Sequence, residues 1–72
     1  MSIDTGADLR AARHVLGWSL ADMAHALKLA PGKSSEDRLR EMENDKREIS
    51  GPIRVAVLAY LDGWRPDDDG EG

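Results

Sequence analysis

Residues Ser34–Asn44 read SSEDRLREMEN, and this stretch decides the fold. Leu39 and Met42 lie three apart, the spacing of one helical face, and are expected to point inward. Arg38, Arg40 and Glu41 fall on the other side. Lys33, Ser34 and Ser35 stand at or just before the helix start. A short apolar seam behind a face of hydrogen-bonding side chains suits a helix that lies in a DNA groove. The rest of the chain reads as the scaffold that presents it.

Working back from this helix, LAPGKSS (29–35) carries Pro31 and Gly32, which end one helix and make a turn. Ser34 or Ser35 is the expected N-cap of the helix that follows. Glu36 and Asp37 lie in its first turn, where the helix dipole favours acids. Before the turn, Leu20, Met23, Ala24 and Leu27 form the apolar stripe of a second helix. Ser19 is its expected N-cap, with Asp22 three residues on. Trp18 and Met23 have the spacing of a hydrophobic staple. Trp18 has two readings, a packing residue or a stacking platform for a base, and the staple spacing favours packing. The first helix is expected over 6–16, capped by Thr5 with Asp8 and stopped by Gly17. Its buried side is Leu9, Ala12 and Leu16.

Forward of Asn44 and Asp45, Lys46-Arg47-Glu48 is a charged linker and Ile49 its one apolar anchor. Ser50-Gly51-Pro52 is a helix start. The fourth helix, 52–61, is apolar nearly all round, so it must be buried on more than one side. In a 72-residue chain this implies a central core helix or a subunit interface formed by Val55, Leu58 and Ala59. Trp64 either extends that interface or covers the helix end. The expected architecture is all-α: a compact bundle of four or five short helices containing a helix-turn-helix. Residues 1–6 are a flexible lead-in, 7–64 the domain, and 65–72 a disordered acidic tail.

The net charge is −4, where nucleic-acid binders are usually basic. The acidic excess lies at the two ends. Between Leu9 and Pro66, ten Lys and Arg stand against eight Asp and Glu. No cysteine is present, which excludes disulfides and thiolate metal sites. No apolar run has the length of a signal peptide or a membrane span, and a cytoplasmic protein is expected.

Catalysis and cofactors find no support. Gly32-Lys33-Ser34 echoes a P-loop, but Leu27 stands where the motif needs glycine, and a helix precedes it where the motif needs a strand. His14 and His25 fall on different helices and do not make a zinc site. No nucleophile, base and orienting group can be assembled. No enzyme activity, cofactor, metal site or small-molecule ligand is expected.

The order of motifs resembles the Cro/C1-type (XRE-like) helix-turn-helix regulators. Leu9-Arg10-Ala11-Ala12-Arg13 and Leu16-Gly17-Trp18-Ser19 match in and after the first helix. Ala21-Asp22-Met23-Ala24 matches the second helix. Leu39, Met42-Glu43-Asn44 and Lys46-Arg47 match the third and its exit. The resemblance covers residues 7 to 62. It implies a partly buried ion pair between Arg13 and Glu43, the alternative being that both are exposed. It also implies that the third helix enters the major groove of double-stranded DNA, with Arg38 and Arg40 contacting bases, Ser35 reaching bases or backbone, and Glu41 either accepting from cytosine or, the favoured reading, orienting an arginine. Ser19, Lys33, Ser34, Lys46, Arg47 and Arg54 would contact phosphates. For Lys46 and Arg54 a simply solvated position is as good a reading.

Two departures stand out. Leu20 occupies the place of a glutamine that helps clamp a phosphate, and fifteen positions from Ala24 to Leu39 make a longer turn than the family's compact one. The function implied is a homodimeric repressor of its own operon, bound to an inverted repeat. Stand-alone proteins of this kind occur on phages and mobile elements and include antitoxins and anti-CRISPR-associated regulators. The rival reading is a protein-interaction module that keeps the fold without binding DNA.

Overall fold

The computed structural model describes residues 2–30 and 32–65, so the expectation of a disordered tail over 66–72 falls outside the described residues. Four helices make up the described fold: α1 (Gly6–Leu16), α2 (Leu20–Ala26), α3 (Lys33–Glu43) and α4 (Gly51–Leu61). No strand occurs among the described residues. None of these helices is long and apolar enough to cross a membrane.

Three of the four starts follow from side-chain caps. The Thr5 hydroxyl accepts from the Asp8 N–H, and the Asp8 carboxylate accepts from the N–H groups of Thr5 and Asp4. Ser19 and Asp22 form the same reciprocal pair at α2. At α4 the Ser50 hydroxyl accepts from the Ile53 N–H, with Pro52 in the first turn. These caps satisfy backbone donors that have no partner inside the helix. Gly17 ends α1 at φ 74°, and the N–H groups of Gly17 and Trp18 return to the carbonyls of His14 and Arg13.

The third helix departs from expectation. Neither Ser34 nor Ser35 caps it. Gly32 does, at φ 118°, without a side-chain hydrogen bond. Ser35 turns inward instead and donates its hydroxyl proton to the Ala30 carbonyl at 2.6 Å. That bond draws the incoming chain back across the first turn, so the helix begins earlier than a serine cap would set it.

The core gathers Leu9 and Ala12 of α1, Met23 and Ala24 of α2, Leu39 and Met42 of α3, and Ile53 and Val57 of α4. α1 packs against both α3 and α4, and α2 packs against α3. Ile3 joins this core with only 1% of its surface exposed. Residues 2–6 are therefore an anchored part of the domain, which corrects the expected flexible lead-in. Burying a side chain of this size stabilises by about 1.5–3 kcal/mol. Gly6 follows, buried in the first turn of α1, and its N–H donates to Asp45 Oδ1 at 2.8 Å. Asp45 sits at φ 61° to receive it, a backbone region that aspartate tolerates better than most residues. At the other end Arg65, placed by its sequence in the tail, donates to the carbonyls of Tyr60 and Trp64.

The two carboxylate caps should make the fold acid-sensitive. Asp8 is held below the ordinary aspartate range by the backbone N–H groups of Asp4 and then Thr5. Asp22 is lowered by the Ser19 backbone first, then by the Ser19 side chain and the nearby His25 charge. Depressed folded-state values mean that this stability is present above about pH 4 and lost as pH falls through the folded values. The melting temperature should therefore fall below about pH 4, and the fall should be shallower in D8N/D22N. An equally steep fall in that variant would assign the acid sensitivity to other groups.

Candidate functional site

The inward residues of α3 are Ser35, Leu39, Met42 and Glu43. At 100° per residue this leaves Lys33, Ser34, Asp37, Arg40 and Glu41 facing outward, with Arg38 at one edge. Two contacts fix the angle of the helix. α2 packs along it through the core. At its last turn, Arg13 Nε donates to Glu43 Oε2 at 2.6 Å, and Arg13 Nη2 donates to Glu43 Oε1 at 3.1 Å. The third arginine nitrogen, Nη1, donates to the Trp18 carbonyl at 3.0 Å. One guanidinium thus ties α1, the α1–α2 corner and α3 together. The pair is enclosed, with side-chain exposures of 13% and 5%. The planar fork of arginine supplies all three bonds at once.

The outward face is mixed in sign. Arg40 Nη1 donates to Asp37 Oδ1 at 2.8 Å, and Arg47 Nε donates to Glu41 Oε1 at 3.0 Å. All four side chains are about half exposed, so each pair contributes only about 0–1 kcal/mol and exchanges readily for another partner. Glu41 therefore orients an arginine, the one that follows the helix. Arg38 is exposed and makes no hydrogen bond or ion pair among the described residues. It stands at an open groove of about 840 Å³ that Arg47, Arg54, Ser50, Asp4 and Glu48 also line. The N-terminus of α4 opens into the same groove and adds partial positive charge.

Several expected site residues sit elsewhere. Ser35 is 7% exposed and bonded to Ala30, which removes it from base contact. Its hydroxyl shapes the turn ahead of α3. Ser19 is exposed, but its oxygen already accepts the Asp22 N–H, so it has only its own proton left to offer a phosphate. Lys33 and Ser34 are exposed in the first turn of α3 itself, and Lys46 is exposed just beyond its end. Leu20 packs against the core, which accounts for an apolar residue at the start of α2. Trp18 also packs there, edge-on to Tyr60 with ring centroids 5.0 Å apart. Tyr60 continues the cluster to Trp64 at 5.2 Å, and its hydroxyl donates to the Ala26 carbonyl. Trp64 accordingly covers the end of α4 and keeps half of its surface exposed.

No family model matches the chain, and comparison with curated proteins and with solved structures finds no similar one.

On the far side of α4, Val55, Leu58 and Ala59 do share a surface. They line a shallow groove together with Leu61, Asp62 and Val15 of α1. Val15, at 69% exposed, was not legible as part of it. The available signal was the 4-residue spacing of Ala7, Ala11 and Val15, all exposed, which becomes a surface only once α1 lies against α4.

Proposed function

We propose that this chain is a sequence-specific DNA-binding regulator. α2, the long turn and α3 act as a helix-turn-helix, working in the cytoplasm as a dimeric repressor of its own operon. The observation that carries this reading is Arg38. It is an exposed guanidinium without a partner among the described residues, on a helix braced at its last turn by a buried ion pair. A rigid element presenting a free fork of donors is what bidentate contact to guanine requires. Arg40 is the second base-contacting candidate, once DNA replaces Asp37 as its partner. Lys33 and Ser34 in the first turn of α3, and Lys46 and Arg47 after its end, stand where phosphates would run, and Ser19 offers its hydroxyl at the start of α2. One such module buries too little surface for tight specific binding. Two copies on an inverted repeat, with half-sites about 34 Å apart, provide enough.

Binding to the DNA upstream of the protein's own gene tests this, measured across a salt series. Affinity should fall steeply with salt as phosphate counterions are released. Arg38→Ala should cost about 1–3 kcal/mol of discrimination between the site and random DNA, whereas Lys46→Ala should lower the salt slope by about one and leave discrimination unchanged. No binding at low salt would sink the reading. So would an Arg38→Ala variant with full discrimination.

The Asp37–Arg40 and Glu41–Arg47 pairs favour a second reading. They neutralise half of the exposed arginines around the site in a chain of net charge −4. On that reading the α3 face docks a protein with its own mixed charges, and random DNA fragments fail to bind as well.

A further inference from the structure

The outer side of α4 carries an apolar strip with a charge at each end. Val55, Leu58 and Ala59 follow one another at helical spacing, and Val55 is 66% exposed. Arg54, which also lines the groove at Arg38, precedes the strip one helical turn before Leu58, and Asp62 closes it one turn after. Both are exposed, and neither forms an ion pair among the described residues. The eight residue steps from Arg54 to Asp62 span about 12 Å of helix at 1.5 Å per residue.

We propose that this strip binds a second copy of the chain, with the two α4 helices antiparallel and the twofold axis at Leu58. The proposal rests on the dimeric part of the reading above and gives it a register. An isologous interface must be complementary to itself. A strip with a cation at one end and an anion at the other meets that condition in one orientation only. Antiparallel pairing about Leu58 sets Arg54 of one copy beside Asp62 of the second copy, twice over, and Val55 beside Leu61. Parallel pairing would bring Arg54 against Arg54. Antiparallel helices also oppose their dipoles favourably. Val15 of α1 forms the wall of the groove into which α4 of the second copy settles. Arg54 then serves the dimer, where its sequence position suggests a phosphate contact. Trp64 is spent on Tyr60 and takes no central part.

The strip is small beside the ~800 Å² per partner of a standard interface. The dimer is therefore weak in free solution and is completed on DNA.

Sedimentation of the full chain without DNA, over a concentration series into the millimolar range, tests the register. The wild type should show a concentration-dependent dimer. Val55→Glu should abolish it while the melting temperature, a check on folding, stays near that of the wild type. Arg54→Asp should weaken it about tenfold, through loss of two symmetry-related pairs. The charge-swapped R54D/D62R variant should return to within a few-fold of the wild type. A monomer at every concentration overturns the proposal, and so does a dimer indifferent to Val55→Glu. Additive losses in the charge swap overturn the register. DNA is absent throughout, so these outcomes are separate from those of the DNA-binding test.

Discussion

Glu43→Ala is expected to cost about 3–5 kcal/mol, the penalty for leaving one member of a buried ion pair without its partner. A single domain of this size commonly has only ~3–5 kcal/mol of stability in total. The variant should therefore be largely unfolded at room temperature, by circular dichroism. The reason is geometric. Glu43 is the acceptor of two of the three hydrogen bonds made by Arg13, and the Arg13 side chain is 13% exposed. Water cannot take the place of the carboxylate without opening the seam between α1 and α3. Arg13→Lys should rescue little, because an ammonium cannot reach two carboxylate oxygens and the Trp18 carbonyl together. Replacing both members by apolar residues of similar volume, R13M/E43L, should return most of the lost stability. If urea unfolding placed Glu43→Ala within 1 kcal/mol of the wild type, the pair would be a surface contact in energetic terms, whatever its geometry.

The resemblance implied this pair, and the residues alone said only that an ionic group beside an apolar seam needs a partner. Caps were legible from the residues themselves. Thr5, Ser19 and Ser50 bond to N–H groups three residues away, so the local sequence contains both partners. Legibility ended where a partner lies outside the local window or runs against the usual direction. Ser35 looks like a cap but reaches back five residues to the Ala30 carbonyl, which also turns it away from the outer face. Ile3 stands between the polar Ser2 and Asp4 and belongs to no periodic pattern, yet it is fully buried. The Arg40 and Glu41 side chains were named as site residues, but their pairing with Asp37 and Arg47 depends on rotamers and on the path of the chain after Asn44. Val15 needed the packing of α1 on α4 before it could be placed. The sequence therefore speaks clearly for the frame of the candidate site and less clearly for the charges free to act within it.

Gly6→Ala should be the most damaging glycine substitution among the described residues, although the backbone at Gly6 is not in the left-handed region. A Cβ there would lie 2.5 Å from the Met42 carbonyl oxygen and closer still to that of Glu43. These are backbone atoms at the last turn of α3, and they have little room to yield. Met42 is buried in the core and Glu43 is held by Arg13. The start of α1 must move instead, which breaks the bond from the Gly6 N–H to Asp45 Oδ1. Overpacking of this kind costs about 1–3 kcal/mol and occasionally more, and a hydrogen bond to a charged acceptor adds about 1.5–3 kcal/mol when buried, less here because it is partly exposed. A total near 3 kcal/mol follows from these two contributions. Gly17→Ala is the control. Gly17 has a φ of 74° and open space around it, so alanine there meets strain alone, about 1 kcal/mol. Urea midpoints should rank wild type above Gly17→Ala and Gly17→Ala above Gly6→Ala, the reverse of what backbone angles alone would give. Asp45→Ala should then cost less in the Gly6→Ala background than in the wild type, because the hydrogen bond has already gone and only the strain of alanine at this left-handed position remains. If Asp45→Ala instead costs the same in both backgrounds, the N–H of residue 6 has not moved, and the close approach of α1 to α3 does not depend on glycine.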